Sequence, residues 1–428
     1  MTKYIITGGQ KLHGEVQLAG AKNAGFKALI ASLLGDTPSN ISGLGQISEI
    51  EFAKQVIESL GGSCQRDLKN FEIPKEIGAK SRSVTMYVGP LLKKFGRAIL
   101  PIPGGDKIGA RPIDRHLEGL EALGAKLKFE NNTFFVEAKQ LVGTNYRFKK
   151  NTHTGTETLL MCAVFAEGIT ILENAAAEPE IDDLITLLNA MGGKIMRPEA
   201  RTIKIVGVDK LHGVNHTVMK DRIEAATFAC MALATRGDVD VVGANPGVLT
   251  AFLEKVNEAG GRWEKDALGV RFWWEKPLVA TDVIATFYPG FMTDWQPMWT
   301  ALMTQADGES TIHETVYENR WGQIEDLKKM GGKFDFYNPE ISNPEKVYNF
   351  NLEDDKPENF HAVKIRGPVQ MTGSTIEIND IRRGATIILA GLCANGQTTI
   401  LDPKDQINRG YENIVGRLQN LGAKVTIE

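Results

Sequence analysis

Apolar positions along this chain fall into two alternating kinds of segment. In the first kind they recur every three or four residues and stop at a glycine, as in IEFAKQVIESLGG and YENIVGRLQNLG. That spacing paints one apolar stripe on a helix, and the glycine closes the last turn where a left-handed residue costs least. Six such segments occur: IEFAKQVIESLGGSCQ, HLEGLEALGAKLKF, IDDLITLLNAMGGKIM, LTAFLEKVNEAGGRWE, IEDLKKMGGKFDF and YENIVGRLQNLGAKVTI. Their glycines are Gly61, Gly124, Gly192, Gly260, Gly331 and Gly422, spaced by 63, 68, 68, 71 and 91 residues. The alternation after each glycine, as in AKLKF or AKVTI, predicts a strand.

The second kind of segment is rich in Ala, Leu and Met and is apolar nearly all round. Its copies begin near Lys22 (AGAKNAGFKALIASLL), Arg82 (SRSVTMYVGPLLKKFG), Gly155 (HTGTETLLMCAVFAEG), Asp221 (DRIEAATFACMALATRG), Asp294 (TDWQPMWTALMTQADG) and Asp380 (NDIRRGATIILAGLCANG). A helix without a polar face must be buried, so these six belong inside and the amphipathic six form an outer layer. The recurring unit is therefore a pair of helices with strands, present six times. A chain of 428 residues exceeds one ordinary core, and six units divide naturally into three plus three. The expected fold class is α/β: two similar domains, each three repeated units around buried helices. The spacing of 91 places an insertion in the last unit, expected as a surface excursion over residues 337–360.

Charge narrows the function. Forty-nine basic residues stand against 53 acidic ones, a net charge of -4, so no global field exists to hold a nucleic acid or an anionic membrane. Any anion must be bound by a local basic cluster. No apolar run approaches the roughly 20 residues that span a bilayer, and MTKYIITGGQ lacks a signal-peptide core. The expectation is a cytoplasmic protein. Cys64, Cys162, Cys230 and Cys393 lie far apart without metal-ligand spacing, and Cys162, Cys230 and Cys393 sit inside apolar patterns. They read as buried, reduced thiols. No metal or cofactor motif is present.

The local basic cluster is legible at the starts of the inner helices. A helix N-terminus carries about half a positive charge, so acids and hydroxyls suit it and cations do not. Yet Lys22, Arg82, Arg222 and Arg382 all lie at or within a turn of such starts. Each would cost ~0.3–1 kcal/mol from the dipole alone. One instance would be a solvated charge; four in six copies suggest sites for a multiply charged anion, where formal charge joins free N–H groups. Asp221, Asp294 and Asp380 each admit the plainer reading of an N-cap. The segment LPIPGGDKIGARPIDRHLEGL adds a mobile loop with Gly104, Gly105 and Gly109 around Asp106 and Lys107. It lacks the spacing and the Gly-Lys-Ser/Thr ending of a nucleotide-hydrolase phosphate loop.

The motifs AGAKNA, PGGxxIGARPID, ENAAxEPEI, DRIE, TDWQ, ETVYENR and NRGYE occur in one order from end to end of the chain. In that combination the chain resembles the UDP-N-acetylglucosamine enolpyruvyl transferases, which open peptidoglycan precursor synthesis. The resemblance implies the inside-out α/β barrel of enolpyruvyl transferases, with an active site between two domains. It places domain one at 21–219, with the mobile loop near 103–112, and domain two at 1–20 plus 220–428. It implies phosphoenolpyruvate and UDP-N-acetylglucosamine as substrates, no cofactor, no metal, no nucleic acid, no membrane insertion, and a monomer or weak homo-oligomer.

By the same resemblance, Lys22, Arg111 and Arg409 hold the phosphate of phosphoenolpyruvate, and Arg320 and Arg382 surround its carboxylate. Asn23 contacts the sugar nucleotide. The backbone of Arg111, Pro112, Ile113, Asp114 and Arg115, of His153, Thr154 and Gly155, and of Val316 cradles the uridine and diphosphate. Arg82 and Asp380 belong to the same cleft. Asp294 is the candidate general base at the sugar hydroxyl. Asp106 stands where most members carry a loop cysteine, and a carboxylic acid of raised pKa can replace a thiol as proton donor. Asn151 stands where many members have lysine, and His153 and Thr154 replace smaller or apolar residues. The rivals are the shikimate-phosphate enolpyruvyl transferases, whose start motif is serine-rich around its lysine, and a non-catalytic paralogue that binds UDP-sugars.

Overall fold

The computed structural model describes residues 1–63, 68–104 and 109–428. The chain divides into two compact units: residues 20–104 with 112–219, here the first body, and residues 1–19, 109–111 and 220–428, the second body. Cys64, Asp106 and Lys107 lie outside the described residues.

All six amphipathic helices form: Ser48–Ser59, Asp114–Ala122, Pro179–Ala190, Thr250–Glu258, Ile324–Lys329 and Ile414–Asn420. Gly61, Gly124, Gly192, Gly260, Gly331 and Gly422 all take positive φ, between 75° and 107°. That conformation is strained for any residue with a Cβ, which is why the repeat keeps glycine there. Strands follow at Lys126–Glu130, Lys194–Glu199, Arg262–Lys265, Lys333–Tyr337 and Lys424–Ile427.

The inner helices are Lys22–Ser32, Val88–Phe95, His153–Ala163 in the first body and Arg222–Ala234, Gln296–Met303, Ile381–Cys393 in the second. Every residue of Arg222–Ala234 is buried, as its all-round apolar sequence requires. A 3-10 turn, Arg82–Tyr87, leads into Val88–Phe95, so the helix expected near Arg82 begins as a tighter coil. Cys162 and Cys230 are buried thiols; Cys393 is only partly covered.

Four sheets repeat one pattern. A short strand runs parallel to its neighbour, and two antiparallel strands follow, as in Asn145–Arg147, Ile169–Glu173, Thr202–Val206 and Lys194–Glu199. The set Val283–Ala285, Gly308–Glu314, Ala362–Gly367 and Lys333–Tyr337 has the same order. In the second body the N-terminal strands supply missing members: Thr2–Thr7 lies between Gln397–Asp402 and Lys424–Ile427, and His13–Gln17 runs parallel to Asp238–Val242. Glu224 fastens this N-terminal segment, accepting from the Ala19 amide at 2.8 Å while pairing with Arg417.

Residues 337–360 are mostly exposed or half-buried, with two aromatic exceptions that anchor them. They contain a short helix, Pro344–Val347, and Tyr348 and Phe350 are buried at 7% and 5% exposure. Tyr348 stacks on Phe350 and leans on His361, whose Nε2 is 2.9 Å from Asp355. The polar composition concealed two aromatic anchors that hold the insertion to its own body.

Candidate active site

In the first body, candidate residues gather at the N-terminal ends of inner helices. Lys22 is the first residue of its helix; no side chain caps that end and no acid stands in the first turn. Asn23 follows it, and both are partly exposed. Lys27 lies further along the same helix, 2% exposed, with its Nζ 2.5 Å from Oε1 of the fully buried Glu157. A lone Lys and a lone Glu inside apolar helices were the sequence signal for this pair, and sequence reasoning passed over it.

His153 begins the helix that carries Glu157, behind the cap Thr152, whose hydroxyl accepts from the Gly155 amide at 3.2 Å. Its Nε2 lies 3.3 Å from both Lys27 and Glu157. Burial and the Lys27 charge oppose protonation, but Glu157, with Glu178 beyond, outweighs them and holds the imidazole above its ordinary value. Thr154 Oγ1 is 2.9 Å from Nε2 of buried His116. Burial, then the Arg82 charge, pushes the His116 pKa down to about 3, so this imidazole is neutral. Arg82 opens its 3-10 turn behind the cap Ser81. Arg115 donates to the Asn151 carbonyl at 3.1 Å, which ties the Pro112–Arg115 segment to the start of the His153 helix. Asn151 is buried and its amide donates to the Asn174 carbonyl at 3.4 Å. Ile113 occupies the N-cap position before Asp114.

The second body holds a buried polar network. The Arg320 guanidinium, 5% exposed, donates to Thr293 Oγ1 at 2.8 Å and to Asp294 Oδ1 at 2.5 Å. Burial works against its charge, but Asp294, with Tyr317 and Glu314 beyond, holds it protonated. Thr293 Oγ1 in turn donates to Glu314 Oε2 at 2.8 Å, and Glu314 Oε1 accepts from the Val316 amide at 2.8 Å. Arg382 is 6% exposed and donates to the Tyr411 hydroxyl at 2.9 Å; Asp294 and Asp221 add to the attraction that keeps it charged. Arg409 lies in the 3-10 turn Ile407–Arg409 and donates to Gln406 Oε1 at 2.7 Å. Arg111 has a left-handed φ of 48°, beside Ala110, whose amide donates to Glu318.

The three aspartates at inner-helix starts have separate fates. Asp221 caps Arg222–Ala234 through the Ile223 and Glu224 amides, and Asp380 caps Ile381–Cys393 through the Arg383 amide. Asp294 does not occupy the N-cap position: the helix begins at Gln296 and its N-cap position is Trp295. Arg222 also departs from the anion-site expectation. It is 2% exposed, beside Met292, and its guanidinium lies over the rings of Tyr288 at 5.3 Å and Trp295 at 5.9 Å. A cation over aromatic faces is a packing solution. Among the described residues, no group of three or more His, Cys, Asp and Glu side chains is placed to hold a metal ion, and no helix is long and apolar enough to cross a membrane.

The second body thus offers an acid held beside two buried guanidinium groups; the first offers helix ends rich in cations and hydroxyls. Residues 6–418 match the family model described as EPSP synthase (3-phosphoshikimate 1-carboxyvinyltransferase). The chain is 40% identical to a UDP-N-acetylglucosamine 1-carboxyvinyltransferase 3 of Caldanaerobacter subterraneus, across 99% of each chain. It is 37% identical to a UDP-N-acetylglucosamine 1-carboxyvinyltransferase of Koribacter versatilis (99% of this chain, 96% of that one) and 36% identical to one of Staphylococcus aureus (99% of each). In fold it is similar to the enolpyruvyl transferase NikO of Streptomyces tendae, with a TM-score of 0.83 at 20% identity over 100% of this chain and 98% of that one. It is also similar to the EPSP synthase of Acinetobacter baumannii, with a TM-score of 0.73 at 18% identity over 100% of both. The chain belongs to the EPSP synthase family, and within it to the group of UDP-N-acetylglucosamine 1-carboxyvinyltransferases.

Proposed function

We propose that this protein transfers the enolpyruvyl group of phosphoenolpyruvate to the 3-hydroxyl of UDP-N-acetylglucosamine and releases phosphate, in the cytoplasm, as the first committed step of peptidoglycan precursor synthesis. The observation that carries the chemistry is the Asp294 carboxylate gripped by Arg320, with Arg382 close enough to feel its charge. Asp294 accepts the proton of the sugar hydroxyl as its oxygen attacks the central carbon of phosphoenolpyruvate. An acid, for which Asp106 is the candidate, protonates the methylene carbon. The tetrahedral adduct then loses a proton from that carbon together with phosphate, which restores the double bond.

The cations act on the charge that this sequence concentrates. Lys22, Arg111 and Arg409 hold the phosphate, and Arg320 and Arg382 hold the donor carboxylate. A guanidinium has five N–H donors, and Arg320 uses two of its nitrogens on Thr293 and Asp294, which leaves donors for a carboxylate. Fixed cations in a site shielded from water stabilise developing charge without reorganising. Asn23, Arg82, the Arg111–Arg115 backbone, His153, Thr154, Gly155, Val316 and Asp380 serve the nucleotide and the sugar. The 36–40% identity to full-length relatives bearing this activity in their names supports the sugar-nucleotide acceptor over shikimate 3-phosphate. The test is phosphate release from phosphoenolpyruvate with either acceptor. Release with UDP-N-acetylglucosamine alone is expected; release only with shikimate 3-phosphate, or with neither, would overturn the proposal.

A further inference from the structure

Glu314 is fully buried, yet its carboxylate is answered by three donors from two segments. Oε2 accepts from Thr293 Oγ1 at 2.8 Å; Oε1 accepts from the Val316 and Tyr317 amides at 2.8 and 3.3 Å. Thr293 is the residue before Asp294, and its hydroxyl is spoken for twice, since it also accepts from Arg320 at 2.8 Å. The chain of donors therefore runs from Arg320 through Thr293 to Glu314, and it has one polarity while Glu314 is ionised. Strand Gly308–Glu314 ends at this carboxylate, and the loop it directs carries both Val316 and Arg320.

We propose that Glu314 is a positioning residue for the reaction: it locks the Thr293–Asp294 segment and the Val316–Arg320 loop into one register, so that the base and the acceptor-contacting backbone cannot move independently. The inference rests on the reading of Asp294 as the base. Glu314 never touches substrate. It acts through Thr293, whose hydroxyl fixes the rotamer of Arg320 and so the direction from which Arg320 grips Asp294. A displacement of about 1 Å in such a base is enough to slow a reaction ~100-fold.

Ionisation matters to the lock. Burial raises the Glu314 pKa to about 7, against the opposing pull of Arg320, Thr293 and the two amides. The charged groups that face the carboxyl are Arg320 and, across it, Asp294. Below that value Glu314 carries a proton, one oxygen becomes a donor, and the polarity of the chain is lost.

The experiment compares kcat and KM of the full chain and of Glu314→Gln, Thr293→Val, Thr293→Ser and the Glu314→Gln/Thr293→Val pair, with stability measured alongside. Thr293→Ser keeps the hydroxyl and should hold kcat within about threefold. Thr293→Val and Glu314→Gln should each lower kcat ~10–100-fold and also raise the KM for phosphoenolpyruvate, since both act through Arg320, and the double variant should be no slower than the worse single one. The acid limb of the kcat–pH profile near pH 7 should vanish in Glu314→Gln. If Glu314→Gln does not fold, the Thr293 pair decides alone. Equal kcat for Thr293→Val and Thr293→Ser, or losses that add fully in the double variant, would overturn the positioning role. A wild-type protein that releases no phosphate with UDP-N-acetylglucosamine would instead count against the reading of the reaction.

Discussion

The Lys27–Glu157 pair should be among the most sensitive points of the first body. Lys27→Met removes the ammonium 2.5 Å from a carboxylate that has no solvent contact. Breaking a buried pair from one side strands a charge and typically costs about 3–5 kcal/mol. His153, with Nε2 3.3 Å from Glu157, can supply a substitute cation. Its folded pKa is already raised, and loss of Lys27 removes an opposing charge and raises it further. The stability that a protonated His153 contributes is therefore full below the ordinary imidazole value and is lost as pH rises through the higher folded one. The variant should lose about 3–5 kcal/mol at about pH 9. At about pH 6 the deficit should shrink by about 1.5–3 kcal/mol, the worth of a hydrogen bond to a charged group. Lys27→Met with Glu157→Leu, which removes both charges, should recover most of the loss at either pH. Hydrogen exchange of the Lys22–Ser32 amides in urea reads the first body, while tryptophan fluorescence reads the second, since Trp263, Trp273, Trp274, Trp295, Trp299 and Trp321 all belong to it. A deficit below about 1 kcal/mol at alkaline pH, or one equal at both pH values, would refute the reasoning.

Two other outcomes follow from the chain. Gly124 has φ of 89° and nothing within 4 Å of where a Cβ would stand, so Gly124→Ala should cost about 1–2 kcal/mol from backbone strain alone, measured by urea unfolding; a neutral result would mean the turn relaxes. At position 106 a carboxylate attacks epoxides poorly where a thiolate attacks well, so the enzyme should remain active in fosfomycin while Asp106→Cys becomes inactivated with time. A covalent adduct on the unsubstituted chain, seen by mass spectrometry, would contradict this.

The repeat was readable because each unit pairs two strong local signals. A helix stripe that ends on glycine predicts both the element and its left-handed closure, and all six glycines adopt that conformation. The inner helices were readable for the opposite reason: residues such as those of Arg222–Ala234 leave no polar face to turn outward. The strand order was not readable. Thr2–Thr7 completes a sheet with strands near the C-terminal end, and nothing local in TKYIIT specifies partners about 400 residues away. The two anchors of the insertion were not readable, because Tyr348 and Phe350 are isolated among charges and a composition average hides them.

Charge at helix starts marked where cations lie but did not sort them. Arg82 and Arg222 carry the same sequence signal, yet Arg222 is packed on Tyr288 and Trp295. The signal records that a cation lies near a helix end; it does not record whether aromatic rings from another segment cover it. The aspartates could have been sorted more finely. An N-cap side chain accepts from the second or third amide of its helix. Asp221 and Asp380 precede Ile-Glu and Arg-Arg, where those amides exist, and both cap. Asp294 precedes Trp-Gln-Pro, and Pro297 has no N–H to give. With that donor missing, an acid at this position has less to gain from the helix and is available to another partner. Arg320 takes that place at 2.5 Å. The proline two residues into the helix is thus the sequence mark that separates the acid paired with Arg320 from the two that cap.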